Sequence, residues 1–168
     1  MKKEEFIEVL KNRKYLYEIQ GDKIIVTHKG SVDLDSLETL PPGVEFSNGG
    51  NVFLNSLKTI PPGVEFRNKG SVDLDSLKTL PSGVEFMNGG YVWLRSLKTL
   101  PPGVEFRNGG SVSLDSLETI PPGVEFRNGG RVYLDGILGV WLDDWEGNIE
   151  GVDGKRILNL MTNKGLFL

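Results

Sequence analysis

Apolar residues recur along the middle of the chain at a fixed period of twenty residues. The first full copy, residues 31–50, reads SVDLDSLETLPPGVEFSNGG, and four further copies follow it up to residue 130. Each copy carries apolar side chains at the same positions, which in the first copy are Val32, Leu34, Leu37, Leu40, Val44 and Phe46. A unit this short cannot bury its apolar face alone, so the copies are expected to stack on one another.

Each copy contains two short strand patterns and two turn patterns. Val-x-Leu and Val-x-Phe have the period of two that is typical of strands, with the named residues pointing inward. The Pro-Pro-Gly at 41–43 and the Asn-Gly-Gly at 48–50 predict corners, because proline fixes φ and glycine permits positive φ. The pattern therefore predicts an all-β, single-domain β-solenoid of about six to seven coils, with short helical caps at both ends.

One repeat domain, 1–168, is predicted to consist of four parts. These are an N-terminal helical cap at 1–16, a divergent half-coil at 17–30, tandem repeats at 31–135 and a C-terminal cap at 136–168 with a helix near 154–163. The half-coil is predicted because Ile24-x-Val26 falls in register with Val44-x-Phe46. The atypical ends would keep open strand edges from recruiting other chains.

Stacking of the coils turns sequence columns into ladders of like residues. One such structural ladder is predicted for the asparagines of the second corner, namely Asn48, Asn68, Asn88, Asn108 and Asn128. We expect these amides to bond backbone groups that the sheets leave unpaired. His28, the single histidine, falls in the same column and is also expected to be structural, since the chain has no cysteine or second histidine to share a metal. No metal, cofactor or catalytic residue is predicted.

The outward positions divide into two faces. Next to Val-x-Phe, a glutamate column (Glu45, Glu65, Glu85, Glu105, Glu125) runs beside a column that is mostly arginine. The chain lacks the Gly-Gly-x-Gly-x-Asp turns of calcium-binding solenoid repeats, and glutamates paired with arginine are poor candidates for the raised pKa of an acid catalyst. This face is therefore interpreted as solvated and linked by ion pairs.

The second outward face carries aromatic residues on alternate coils. The position inside Val-x-Leu reads Asp33, Phe53, Asp73, Trp93, Ser113, Tyr133. Exposed Trp, Tyr and Arg are enriched at interaction hot spots. The residues predicted to bind a partner are Phe53, Trp93, Tyr133, Tyr91, Arg95, Asn51, Asn55 and Arg131. The alternative is that aromatic residues here simply favour strands. Trp141, Leu142 and Trp145 form a second candidate surface, or cover the last coil.

Composition narrows the classes of partner. The formal net charge of −4 gives no basic field to attract phosphates, so direct nucleic-acid binding is not expected. No stretch approaches the roughly 20 apolar residues of a membrane helix, and no membrane partner is expected. The absence of cysteine permits a reducing compartment, and the predicted location is cytoplasmic.

The element LxxLPPGVxF followed by asparagine, at 37–48, resembles the twenty-residue leucine-rich repeats of bacterial proteins. Here the Leu-Pro corner comes sooner after the first strand, and a second Val-x-Phe strand replaces the usual convex segment. The whole layout, from GDKIIVTHKG through the GVEFxNGG repeats to GVDGKRILNLMTNKGLF, also resembles repeat proteins of unknown function from phages, prophages and gut bacteria. The resemblance implies a phage-linked or bacterial origin, in which small solenoids act by occupying another molecule.

These observations favour a non-enzymatic binding module that docks on a partner protein, with a phage-encoded inhibitor of a host or defence protein as one form of it. A carbohydrate or small-ligand binding protein is the alternative, and a nucleic-acid mimic is a remoter one, based on Asp33, Asp35, Asp73, Asp75 and Asp115. Catalysis is least favoured, because no Ser-His-Asp or Cys-His set is present. A homodimer through a capped end remains open.

Overall fold

The computed structural model describes residues 1–138 of the chain, the last two by their backbone alone. Its elements are α1 (Lys3–Asn12), β1 (Tyr17–Gln20), β2 (Lys23–Val26), β3 (Val32–Asp33), β4 (Val44–Phe46), β5 (Val52–Phe53), β6 (Glu65–Phe66), β7 (Val72–Asp73), β8 (Glu85–Phe86), β9 (Val92–Trp93), β10 (Glu105–Phe106), β11 (Val112–Ser113), β12 (Glu125–Phe126), β13 (Val132–Tyr133) and α2 (Asp135–Leu138). The helix predicted near 154–163 lies outside the described residues, as do Trp141, Leu142 and Trp145.

The strands form two sheets that alternate along the chain. The first sheet has the order β1-β2-β4-β6-β8-β10-β12 and the second the order β13-β11-β9-β7-β5-β3. Val32 pairs with Val52 and Phe46 with Phe66, so twenty residues carry the chain from one strand to the next parallel strand. The result is a β-solenoid of about six turns, which confirms the predicted fold class.

The core is built from identical side chains stacked above one another. The valines and leucines of both strand patterns are buried in every coil, and so is the phenylalanine of each Val-x-Phe strand. The rings of Phe46, Phe66, Phe86, Phe106 and Phe126 form one stack, in which neighbouring centroids are 5.2–5.5 Å apart and ring planes differ by 4–7°. The spacing between coils therefore also sets the distance between stacked side chains in the core.

The two corners use glycine for different reasons. At the Pro-Pro-Gly corner the glycines have a positive φ, from +72° at Gly43 to +80° at Gly123. That backbone conformation disfavours a side chain. At the second corner, a Cβ built on Gly110 would lie 2.8 Å from the carbonyl carbon of Gly90, so the backbone of the preceding coil fills the space.

The asparagine ladder lies at the second corner. Asn48, Asn68, Asn88 and Asn108 are buried, and Asn128 is partly buried in the last corner. Each Nδ2 donates to the carbonyl of a glycine in the preceding coil at 3.0–3.1 Å. These amides therefore join each corner to the one before it.

The N-terminal end of both sheets is covered. Helix α1 buries Phe6 and Leu10 against the first coil, and β1 pairs antiparallel with β2 at the edge of the first sheet. At the edge of the second sheet, the Asp33 N–H donates to the Tyr15 hydroxyl at 2.9 Å, and Arg13 donates to the Asp33 carbonyl. Side chains thus take the place of a neighbouring strand. Within residues 1–138, no helix is long and apolar enough to cross a membrane.

Candidate functional site

The outward side of the second sheet carries the residues predicted to bind a partner, and we call it the aromatic face. Strand alternation places them there, because Val52 and Leu54 are fully buried while Phe53 between them is only half-buried. Val92 and Leu94 are likewise buried on either side of the half-buried Trp93. The aromatic side chains are therefore the alternate, outward members of core strands.

The central column of this face follows the parallel register of the sheet. Phe53 pairs with Asp73, and Asp73 pairs with Trp93. Beyond Trp93 come Ser113, which is buried, and Tyr133, which is 41% exposed. Since adjacent strands lie about 4.8 Å apart, the backbones of Phe53 and Trp93 are roughly 9.6 Å apart, with Asp73 between them.

Two aromatic rings meet at the centre of the face. Tyr91 and Trp93 lie two residues apart, and their ring centroids are 5.8 Å apart with planes inclined by 8°. Tyr91 is 47% exposed, which makes it the more accessible ring of the pair. The pair presents a large and rigid apolar surface, since each ring restricts the other.

The column before the aromatic residues mainly holds successive coils together. The Asn51 N–H donates to the Ser31 hydroxyl at 3.0 Å, and the Ser71 N–H donates to the Asn51 side-chain carbonyl at 2.9 Å. Ser111 accepts in the same way from the N–H of Arg131 at 3.0 Å. Asn51 therefore has a structural role, whereas the Arg131 side chain remains exposed.

The column after the aromatic residues is also tied from coil to coil. The Asn55 backbone and side-chain nitrogens donate to the carboxylate of Asp35 at 2.7 and 3.3 Å. The Arg95 Nε lies 3.4 Å from the Asp75 carboxylate, and 53% of the Arg95 side chain is exposed. Asn55 is thus engaged within the sheet, while Arg95 keeps much of its guanidinium accessible.

Asp73, in the central column, was not among the residues predicted to bind a protein partner and appeared only in the nucleic-acid-mimic alternative. It is half-buried in the row between Phe53 and Trp93. Burial raises the pKa of Asp73, and the nearby carboxylate of Asp75 adds to this effect. The alternation of acidic and aromatic residues in the central column was the sequence signal that pointed to this position.

Within residues 1–138, no Lys, Arg or His nitrogen lies within 4 Å of the Asp73 carboxylate, whereas Asp33 and Asp75 each have an arginine. The Asp75 N–H donates to this carboxylate at 3.3 Å, and the side-chain amide of Asn55 also hydrogen-bonds to it. A partly desolvated carboxylate thus faces outward without a counter-ion of its own.

The outward side of the first sheet, which we call the charged face, differs in its chemistry. Arg67 pairs with Glu65 at 2.9 Å, and Arg107 pairs with Glu105 at 2.5 Å. Lys23 bridges Glu45 and Glu65 at 2.6 and 2.9 Å. The hydrogen bond from Lys23 holds the pKa of Glu65 below its ordinary value. Most charges on this face are therefore already neutralised by a neighbour.

The remaining polar groups of residues 1–138 are not arranged as a metal site. In the part of the chain that the structure describes, no group of three or more His, Asp or Glu side chains is arranged to hold a metal ion. His28 lies in the asparagine column with its ring 4.9 Å from that of Tyr15.

Comparisons of the chain with family models, with curated proteins and with solved structures find no match.

Proposed function

We propose that this protein is a non-enzymatic binding module that docks on a partner protein through its aromatic face. The stacked pair of Tyr91 and Trp93 is the observation that carries the proposal, because it places two large rings at the centre of an outward sheet surface. Large aromatic side chains near the centre of an interface commonly supply most of its binding energy. Phe53 and Tyr133 extend the same surface along the solenoid.

The rigidity of the scaffold supports this proposal. The backbone beneath the face is held by the parallel ladder and by side-chain bonds between coils, such as that from Tyr91 N–H to the Ser71 hydroxyl at 3.0 Å. A surface that is already ordered loses little conformational entropy when it binds. Arg95 and Arg131 then form a polar rim around the rings.

The nature of the partner is inferred from the resemblance to repeat proteins of phages and bacteria. We propose that the partner is a bacterial host or defence protein, and that the module acts by occupying its surface. Solenoid repeat proteins in general bind other molecules through an extended surface, which agrees with this mode of action.

A carbohydrate partner is less well supported. Sugar binding would need free amide or carboxylate groups beside the rings. The side chains of Asn51 and Asn55 are engaged in coil-to-coil hydrogen bonds, which leaves fewer such groups available.

An affinity pull-down from bacterial lysate tests the proposal. The bait is compared with a variant that carries alanine at Phe53, Trp93 and Tyr133, and with a control that carries alanine at Arg67, Met87 and Arg107 on the charged face. All three baits must first show the same circular dichroism. A protein retained by wild type and control, but not by the aromatic variant, supports the proposal. Equal retention by all three baits would contradict it.

A further inference from the structure

The aromatic face has a notch at Asp73. An aspartate side chain is shorter than that of phenylalanine or tryptophan, and the rows on either side carry Phe53 and Trp93. The outward surface is therefore lower at Asp73 than at its two neighbours. A group that enters this notch meets a carboxylate at the bottom and an aromatic residue on each side.

The charge around the notch is negative. Asp73 lies beside Asp75 in its own coil and near Asp35. The negative charges of both raise the pKa of Asp73. Within residues 1–138, Arg95 is the one cation paired with any of these three carboxylates, and it contacts Asp75 rather than Asp73. The described residues thus place three carboxylates against one guanidinium here, which favours a positively charged ligand.

We propose that the notch binds an arginine side chain of the partner protein, over Asp73 and between Phe53 and Trp93. This proposal rests on the docking function proposed for the aromatic face, and it specifies the chemistry of the segment that docks. A guanidinium forms two parallel hydrogen bonds with a carboxylate and packs flat against aromatic rings. Asp75, two residues after Asp73, already pairs with a guanidinium, that of Arg95 in the next coil. The proposed arginine would pair with Asp73 in the same way.

A peptide titration of the full chain tests the notch directly. The probe is a nine-residue peptide of alternating glycine and arginine, and its control is the same peptide with citrulline, an uncharged isostere of arginine. Binding is followed by NMR at the Trp93 indole N–H, which a Trp93→Phe spectrum identifies among the three tryptophans. The protein variants are Asp73→Asn and, as a control with the same change of net charge, Glu85→Gln on the charged face.

The expected result is a shift of the Trp93 resonance with the arginine peptide and at least tenfold weaker binding of the citrulline peptide. Asp73→Asn should weaken binding of the arginine peptide about tenfold, as expected for a lost charged hydrogen bond. Glu85→Gln should leave it unchanged. Equal binding of the two peptides, equal binding by the two variants, or no shift at Trp93 would overturn the proposal.

Partner binding by Asp73→Asn and by a further variant, Trp93→Ala, separates this proposal from the docking function. If a partner protein loses binding with Trp93→Ala but keeps its full affinity for Asp73→Asn, the arginine proposal is overturned and the docking function stands. If Trp93→Ala leaves partner binding unchanged, the docking function fails, and the peptide titration alone decides whether the notch binds arginine.

Discussion

The side-chain amide of Asn88 donates from Nδ2 to the backbone carbonyl of Gly70, in the preceding coil, at 3.0 Å. The same nitrogen also lies 3.2 Å from the carbonyl oxygen of Gly90 and 3.1 Å from that of Tyr91. One amide thus serves three backbone carbonyls at a corner that the sheets do not reach. Asn48, Asn108 and Asn128 repeat this arrangement, and Asn68 donates to two carbonyls, so the ladder supports the second corner of every coil from Asn48 onward.

Replacement of Asn88 by aspartate is expected to destabilise the protein severely. The variant would place a buried carboxylate against carbonyl oxygens, at a cost of at least about 3 kcal/mol of unfolding free energy. Asn88→Ala should cost less, about 1–3 kcal/mol, because it removes the donor without adding a charge. Urea unfolding measures both, and an aspartate variant as stable as the alanine variant would contradict this role.

Replacement of glycine by alanine should destabilise the protein to a different extent at the two corners. Gly110→Ala would place a Cβ 2.8 Å from the Gly90 carbonyl carbon, so the stacked backbones would have to separate. At Gly103 the space is open, but φ is +75°, and alanine there should cost about 1–2 kcal/mol. We expect Gly110→Ala to lower the thermal midpoint more than Gly103→Ala does. The reverse order would show that stacking at the second corner is looser than described.

Lys23 links the stability of the charged face to pH. Its hydrogen bonds hold the pKa of Glu65 below the ordinary value of 4.5, and the same contacts raise the pKa of Lys23 above 10.5. The folded state therefore binds fewer protons at Glu65 than the unfolded state does, and this stabilisation is lost as the pH falls below about 4.5.

Lys23→Met should consequently remove about 1 kcal/mol of stability at pH 7 and flatten the loss of stability between pH 5 and about pH 3. Stabilisation from Lys23 itself should fade as the pH rises beyond 10.5. Lys98→Met is the matched control, because Lys98 and Glu118 form a far more exposed pair. Urea unfolding measures the free energy of unfolding of wild type and both variants across this pH range. Parallel pH profiles for wild type and Lys23→Met would refute this contribution.

Asp73 should have the opposite dependence on pH. Burial raises its pKa above the ordinary 3.8, so the folded state binds more protons there and loses stability as the pH rises through that range. The groups that face it are Asp75 and Asp35, with Arg95 on Asp75 and the Asn55 amide nearby.

Asp73→Asn is therefore expected to be as stable as wild type at pH 7, or more stable, while Glu85→Gln on the charged face should change little. Urea unfolding at pH 7 and at pH 3.5 measures the stability of both variants. We expect any gain in stability of Asp73→Asn over wild type at pH 7 only. A clear loss of stability at pH 7 would mean that the carboxylate has a structural partner, and that its charge supports the fold.

The sequence predicted the solenoid because its information is periodic. Twenty-residue spacing and strand alternation together require that Val32 pair with Val52 and that Phe46 stack on Phe66, and the structure has both contacts. The asparagine ladder followed from the same period, since stacking brings identical residues into one corner. Each of these features depends only on position within the repeat.

Features that depend on side-chain torsions or on residues outside the repeat could not be predicted. Arg13 and Tyr15 cover the β3 edge because of the path that the chain takes after α1. The twenty-residue period does not predict that path. The Tyr91 and Trp93 stack depends on their rotamers. The half-burial of Asp73 depends on the height of side chains in adjacent strands, although the alternation of acidic and aromatic residues hinted at it.

Site-specific photo-cross-linking tests the aromatic face most directly. A benzophenone amino acid replaces Tyr91 on the aromatic face or, in the control protein, Met87 on the charged face, and each protein is irradiated in bacterial lysate. We expect a discrete protein adduct from position 91 that disappears when Trp93→Ala is added, and no such adduct from position 87. The same adducts from both positions, or an adduct from position 87 alone, would contradict docking through the aromatic face.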